Sequence, residues 1–163
     1  MTLMNAIDNG TIINLFVEVK SEDNNLYIPS DELLKRWIAA VLLNERLQQP
    51  YPEIALRIVD ECESARINKQ YRGSGGATNV ISFPFCAVAP EPLPILGDII
   101  MCAPVITREA AEQGKYPEAH WAHILVHGLL HLLGYDHANP QQASIMESLE
   151  TQILDKLNYP IPY

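Results

Sequence analysis

The sequence predicts a single α+β domain in which one mostly mixed sheet of four strands packs against about five helices. Its 163 residues are the size of one compact domain, so we expect residues 1–163 to form one unit. Hydrophobic residues make up 48% of the chain and charged residues 19%, which is enough apolar side chain for a core. The strand-like segments come early and the helical ones late, an order typical of α+β folds.

Four segments of the chain are predicted to be strands. The first alternates in polarity and is rich in β-branched residues, and the third is stopped by Pro84. The proline-rich stretch at 87–94 is expected to be a loop. The predicted strands cover residues 11–19, 53–59, 78–83 and 96–102.

Five helices are predicted between and after these strands. Ser30 is a suitable N-cap for the first helix, because two acidic residues that favour a helix N-terminus follow it. Glycines at 73, 75 and 76 end the second helix, and the fourth is strongly apolar. The predicted helices cover about residues 31–47, 60–71, 104 onward, 118–133 and 140–157.

The overall charge excludes some classes of function. The chain has a net charge of −9 and a pI near 4.9, which repels polyanions on average. A protein that coats nucleic acid or binds anionic membranes is therefore disfavoured. Four of the eleven lysines and arginines lie between Arg57 and Arg72, so a local contact with nucleic acid stays open beside the alternative of a solvated helix face.

The sequence predicts neither a membrane protein nor an exported one. It has no run of about eighteen uncharged apolar residues, and its first ten residues do not resemble a secretory signal. Its three cysteines, Cys62, Cys86 and Cys102, form no CxxC pair, which argues against a disulfide scaffold or a thiolate zinc site. We expect a cytoplasmic protein.

The five histidines of the chain are clustered within eighteen positions. On a helix, with 100° per residue, the first four fall within about 80° of one another. The rest of that helix is apolar nearly all round, so the stripe should be buried, and buried imidazoles need polar partners. A metal ion would supply them. The histidines are His120, His123, His127, His131 and His137.

Three of these histidines have the spacing of a metal site. His127 and His131, four residues apart, present two nitrogens on one helix face. Gly134 can adopt a left-handed conformation that ends the helix and returns His137 as a third ligand. Three imidazoles leave a fourth tetrahedral position open, which is typical of a catalytic zinc, so we predict one Zn²⁺ per chain. The two earlier histidines are expected to pack or to support the ligands.

The spacing HxxxHxxGxxH is that of the metzincin metalloproteases, whose central helix carries a general-base glutamate directly after the first histidine. Gly128 stands at that position here. Because a general base contributes about two to four orders of magnitude in rate, proteolysis becomes the less favoured function. A metzincin-like central helix that carries the metal site is still predicted. Met146 is expected in the core of the last helix rather than beneath the metal.

The motif H-G-x-L-H-L-x-G-Y-D-H, which runs from His127 to His137, resembles that of the YbeY family of endoribonucleases. The likeness extends over about residues 53–150. In one place the chain departs from the family, which usually has an acid and a proline where Gly75 and Ala77 stand. The further matching residues are Asn68, Tyr71 and Arg72, the segment 78–84 (TNVISFP) and the segment 97–99 (GDI).

This resemblance implies a zinc-dependent endoribonuclease that cleaves single-stranded RNA. It implies a role in maturation of ribosomal RNA, notably the 3′ end of 16S rRNA, and in ribosome quality control. It also implies contacts with small-subunit ribosomal proteins and with an assembly GTPase. Such chemistry needs a cation beside the phosphate, and Arg72, which matches the family motif, is our candidate catalytic residue.

Several alternatives remain open at this stage. Arg57, Arg66 and Lys69 would either guide the RNA backbone or form a solvated face. Asp136 would either orient a ligand histidine or serve only as a turn residue. The main rival function is a ribosome-assembly factor whose zinc is structural, which the acidic charge suits. Neither the nucleophile nor the general base follows from the sequence.

Overall fold

The computed structural model describes residues 2–8, 11–45, 52–73, 75–85 and 95–163 of the chain. All four predicted strands and all five predicted helices are present, which confirms the α+β class. The loop expected at 87–94 lies outside the described residues. The elements are β1 (Thr2–Asp8), β2 (Thr11–Lys20), α1 (Asp31–Asn44), β3 (Glu53–Val59), α2 (Glu61–Arg72), β4 (Val80–Pro84), β5 (Ile95–Cys102), α3 (Ala103–Glu112), α4 (Pro117–Leu132) and α5 (Pro140–Lys156).

The sheet has five strands in the order β1-β2-β3-β5-β4, one more than the sequence predicts. The additional strand is β1, which pairs antiparallel with β2 along its whole length. Its sequence, TLMNAID, contains only two β-branched residues, so strand propensity gives little signal there. The central pairs β2–β3 and β3–β5 are parallel and β4–β5 is antiparallel, so the sheet is mixed as expected.

The two faces of the sheet bury different helices. Along β5, Ile99 and Met101 point into the main core with α1, α4 and α5, whereas Ile100 points to the opposite face. There it joins a smaller cluster that includes Ile67 of α2. This alternation follows from the two-residue period of a strand, and it places α2 and α4 on opposite faces of the sheet. None of the helices in the described ranges is long and apolar enough to cross a membrane.

The start of α1 agrees with its sequence signal. The hydroxyl Oγ of Ser30 accepts a hydrogen bond from the backbone N–H of Leu33 at 3.3 Å, as an N-cap should. The helix buries Leu34, Trp37 and Ile38 against the main core. Burial of large apolar side chains contributes about 1.5–3 kcal/mol each, so this face fixes α1 beside α4.

Gly97 allows β4, β5 and the end of α4 to approach closely. Its φ is +146°, and a Cβ built there would lie 2.2 Å from the carbonyl oxygen of Phe83 and 2.8 Å from Cδ2 of Leu132. No other residue type fits this backbone conformation and this space. The glycine therefore determines how close the histidine-bearing helix lies to the sheet.

Replacement of this glycine should destabilise the fold strongly. We expect Gly97→Ala to lower the free energy of unfolding by at least ~2 kcal/mol, because the methyl group meets backbone and the φ is unfavourable. Gly75→Ala is the matched control, since a Cβ at Gly75 has no neighbour within 4 Å, and its effect should be within about 0.5 kcal/mol. Denaturant unfolding would measure both, and equal stabilities would contradict this account of Gly97.

Candidate metal centre

The turn after α4 brings the third histidine back to the other two. Gly134 has a φ of +100°, the left-handed conformation that the sequence predicts. Its N–H donates to the carbonyl oxygen of His131 at 3.0 Å, and the N–H of Tyr135 donates to that of Leu130 at 3.0 Å. These bonds close the helix end and reverse the chain, so that His137 lies beside the last turn of α4.

The three imidazoles converge on one point. One ligand nitrogen from each of His127, His131 and His137 lies within 4.8 Å of the other two. The Nε2 atoms of His127 and His131 are 3.1 Å apart. A tetrahedral zinc, with Zn–N bonds of about 2.0–2.1 Å, would separate such nitrogens by about 3.3 Å. The donor set and its spacing therefore fit a zinc ion or another divalent metal that prefers imidazole.

Hydrogen bonds at the opposite ring nitrogens turn both α4 ligands toward this point. Nδ1 of His127 lies 2.5 Å from Oε1 of Glu150, and Nδ1 of His131 lies 2.9 Å from the carbonyl oxygen of Tyr135. Both partners are acceptors, so each Nδ1 carries the proton and donates it. Each Nε2 is left with a free lone pair, which is the form that binds a metal.

Burial also favours the neutral form of His131. Its partial burial lowers the pKa of the imidazole, and the neighbouring rings of His127 and His137 lower it further. His137 is the open side of the site, with 56% of its side chain exposed, whereas His127 is 26% exposed. The histidine cluster is thus anchored in the core on one side and open to solvent on the other.

Glu150 supports the three histidines from within the core and is not among the site residues that the sequence predicts. The residue lies on α5 and is fully buried. Burial alone would raise the pKa of this carboxyl, but hydrogen bonds from His123, His127 and Tyr163 outweigh it and lower the pKa to about 2. The carboxylate is therefore charged. One signal was available in the sequence, because Glu150 interrupts the apolar stripe of α5 four residues after Met146.

The space around Gly128 explains the absence of a protease-type glutamate. A Cβ at this position would lie 2.9 Å from Cγ2 of Val80 and 3.3 Å from Oγ of Ser82, both on β4. The Ser82 hydroxyl also donates to the Gly128 carbonyl oxygen at 2.8 Å. Because β4 packs directly on α4, a carboxylate side chain at position 128 would displace the strand.

Arg72, the predicted catalytic residue, is not in contact with the histidines. It is the last residue of α2, which lies on the other face of the sheet, and its side chain is exposed. Among the residues with described side chains, none forms a hydrogen bond or ion pair with its guanidinium. Its role at a phosphate remains a prediction.

The nearby basic residues are mostly neutralised by acids. Nε of Arg57 lies 3.2 Å from a carboxylate oxygen of Glu18, and Arg66 forms two hydrogen bonds with Glu63, at 2.7 and 2.9 Å. Because these two arginines are already paired, they favour the alternative of a solvated surface over a surface that binds the RNA backbone. Lys69 is exposed on α2, the helix that also carries Arg66.

The other histidines and Asp136 do not join the three converging imidazoles. His120 is buried, with Nε2 at 3.1 Å from Glu109, and His123 lies 3.2 Å from Glu150. His123 therefore shares the carboxylate that contacts His127, whereas His120 packs in the core away from the three ligands. The carboxylate Oδ1 of Asp136 accepts from the backbone N–H of His137 at 2.7 Å, and the same oxygen lies 3.9 Å from Nδ1 of the His137 ring, so both roles named for Asp136 stay open. Met146 is buried in the core, also as expected.

Two comparisons with known proteins identify the same family. A family model described as "Endoribonuclease YbeY" matches residues 17–158. A protein of Methylococcus capsulatus named Endoribonuclease YbeY is 51% identical over 138 residues, which cover 83% of this chain and 87% of that protein. The solution structure of the Thermotoga maritima protein TM1509 superposes on this chain with a TM-score of 0.54, over 88% of this chain and 92% of the other. Because the two sequences are only 20% identical, this likeness supports the fold alone.

The converging histidines lead to a prediction about metal content. We expect the purified protein to bind one zinc ion, and His131→Ala to weaken the affinity more than about 100-fold, because two imidazoles hold the ion far less tightly than three. His120→Ala removes an imidazole from the same helix outside the cluster and should keep the zinc. Elemental analysis and titration against a chromophoric chelator would measure this. Retention of zinc by His131→Ala would contradict the assignment.

The close contact at Gly128 leads to a second prediction. We expect Gly128→Ala to lower the free energy of unfolding by about 1–3 kcal/mol, because the new methyl group overlaps Val80. Val80→Ala should be less harmful in the Gly128→Ala background than in the wild type, since it makes room for that methyl group. Denaturant unfolding of the four proteins gives this coupling. Strict additivity of the two effects would show that the contact is not limiting.

Proposed function

The chain belongs to the YbeY endoribonuclease family, and we propose that it is a zinc-dependent endoribonuclease that cleaves single-stranded RNA. The observation that carries this proposal is the convergence of three imidazoles on one point. In two of them, His127 and His131, Nδ1 donates to an acceptor and Nε2 is left free for a metal. Zinc, when bound, supplies Lewis acidity toward a phosphoryl oxygen and toward water. His127, His131 and His137 would hold it.

The protein's own residues would hold the site rigid and leave it open to a polymer. Glu150 and the Tyr135 carbonyl fix the two α4 imidazoles, so little reorganisation is needed when substrate binds. His137 is exposed on the outer side, where an RNA strand can approach. Three protein ligands also leave a coordination position for a substrate oxygen or water, which is typical of catalytic rather than structural zinc sites.

Arg72 would bind the phosphate whose bond is cleaved by reaching it around the edge strand β4, where the ring of its neighbour Tyr71 meets that of Phe83. A guanidinium is always protonated and can hold two phosphate oxygens at once, which stabilises the negative charge that develops in the transition state. The side chain of Arg72 is exposed and is not engaged by an acid in the part of the chain that the structure describes, in contrast to Arg57 and Arg66. It is therefore available to a ligand.

We extend the proposal to ribosomal RNA on the strength of the family resemblance. The expected reaction is maturation of the 3′ end of 16S rRNA, together with a part in ribosome quality control, in the cytoplasm. Small-subunit ribosomal proteins and an assembly GTPase are the expected partners. Partner proteins would help an enzyme with a net charge of −9 to reach its RNA, because that charge opposes free association with a polyanion.

One experiment separates this function from its main rival. End-labelled single-stranded RNA is incubated with zinc-loaded wild type and with His131→Ala, Arg72→Ala and Arg108→Ala, all purified identically. We expect His131→Ala to be inactive and Arg72→Ala to lose about 10²–10³-fold in rate, because each removes stabilisation of the developing charge. Arg108 is exposed and paired with Glu61, so its replacement is a charge-matched control and should have no effect.

The alternative outcomes are equally informative. Equal cleavage by all four proteins would indicate a contaminating ribonuclease. Absence of cleavage, with zinc still bound to the wild type, would favour the assembly factor with a structural metal. Cleavage of casein that is lost with a chelator would instead revive the protease, against the steric evidence at Gly128.

A further inference from the structure

We propose that Tyr163 is a positioning residue of the metal centre, which acts by holding the Glu150 carboxylate in the orientation that fixes His127. Tyr163 donates its phenolic hydrogen to Oε2 of Glu150, while Oε1 accepts from Nδ1 of His127. The hydroxyl thus reaches the metal ligand through one intervening group. This inference rests on the proposed function only in taking His127 as a metal ligand.

The two oxygens of Glu150 have unequal sets of partners. Among the described residues, Oε1 contacts His127 alone, whereas Oε2 contacts both Tyr163 and His123, whose Nε2 lies 3.2 Å away. A carboxylate held at both oxygens cannot rotate about its terminal torsion, which is otherwise soft. Without the phenol, the longer contact from His123, at 3.2 Å, would be the one remaining donor to Oε2 in the part of the chain that the structure describes. The plane of the carboxylate, and with it the ring of His127, would then be less well defined.

The chain segment that carries Tyr163 is anchored independently of Glu150. Nζ of Lys115, just before α4, donates to the carbonyl oxygen of Pro162, the residue before Tyr163, at 3.0 Å. The ring of Tyr163 also meets that of His123 edge to face, with centroids 5.4 Å apart. These contacts bring the segment across the start of α4 and deliver the phenol to the buried carboxylate.

The position of Tyr163 also shields the carboxylate from water. A cavity of about 360 Å³ reaches this region and is lined in part by His123, His127 and Tyr163. Glu150 is nevertheless fully buried, whereas Tyr163 is 62% exposed. Loss of the phenolic oxygen would open a route from this cavity to the carboxylate, and a water molecule would compete for its hydrogen bonds. Because Tyr163 lies at the surface, its substitution should not prevent folding.

The test compares two tyrosines of the same segment. Tyr163→Phe keeps the ring but removes the hydroxyl from Glu150, whereas Tyr159→Phe removes a hydroxyl that donates to Glu118 and accepts from Nε1 of Trp37, and so controls for general loosening of the segment. Outer partners of a ligand histidine typically contribute 10–100-fold to metal affinity, so we expect about that loss for Glu150→Gln. Tyr163→Phe, one step further out, should lose about 3–10-fold, and Tyr159→Phe less than about twofold.

A double variant distinguishes positioning from general destabilisation. Because Tyr163 acts through Glu150, Tyr163→Phe should cost no further zinc affinity in the Glu150→Gln background. The d–d absorption of the cobalt-substituted protein should shift in Tyr163→Phe and not in Tyr159→Phe, since it reports ligand geometry. Additive losses of affinity, or equal behaviour of the two tyrosine variants, would overturn the proposal.

Nitrogen-15 spectra of the metal-free protein keep this test separate from the proposed function. The imidazole resonances of wild type should show His127 protonated at Nδ1, and Tyr163→Phe should weaken or broaden that signature. A wild type that binds no zinc would refute the zinc-dependent function, yet these spectra would still decide whether Tyr163 orients His127. An unchanged His127 signature in Tyr163→Phe would refute the positioning role.

Discussion

The buried carboxylate of Glu150 is the constraint on which the site depends. A charge in the core costs several kcal/mol unless hydrogen bonds replace its water. Here the replacements come from two other parts of the chain, His123 and His127 on α4 and Tyr163 after α5. All three hydrogen bonds must form at once. The bond from His127 that compensates the charge therefore also fixes the orientation of the His127 ring. Under the proposed function, stability and activity are therefore coupled through this one carboxylate.

The sheet imposes a second constraint, which is steric. At Gly128 the helix α4 touches β4, and at Gly97 the strand β5 lies against the backbone of Phe83 and the side chain of Leu132. These two glycines allow α4 to lie deep against the sheet, where its histidine face is supported on one side. The same closeness leaves no volume for an acid beside His127. The packing that brings the three histidines together thus leaves no room for the general base of a metzincin protease.

Local signals in the sequence predicted most of the fold and the three converging histidines. The spacing of His127, His131 and His137 needs only helix geometry and one left-handed glycine, both of which are short-range. The missed features depend on long-range contacts. Strand β1 has little propensity of its own and forms by pairing with β2. Glu150 lies 23 residues from His127 in sequence, so only its polar character within an apolar stripe could have suggested it.

The distribution of charge bears on how such a site would meet RNA. Exposed cations usually provide most of the affinity for a phosphate backbone. In this chain Arg57 and Arg66 are already paired with acids, and the net charge is −9, so little attraction is left over at long range. Binding of RNA would then depend on a few contacts close to the metal and on partner proteins that bring the RNA to the site. Under the proposed function, selectivity would come from presentation of the substrate by protein partners rather than from an extended basic surface.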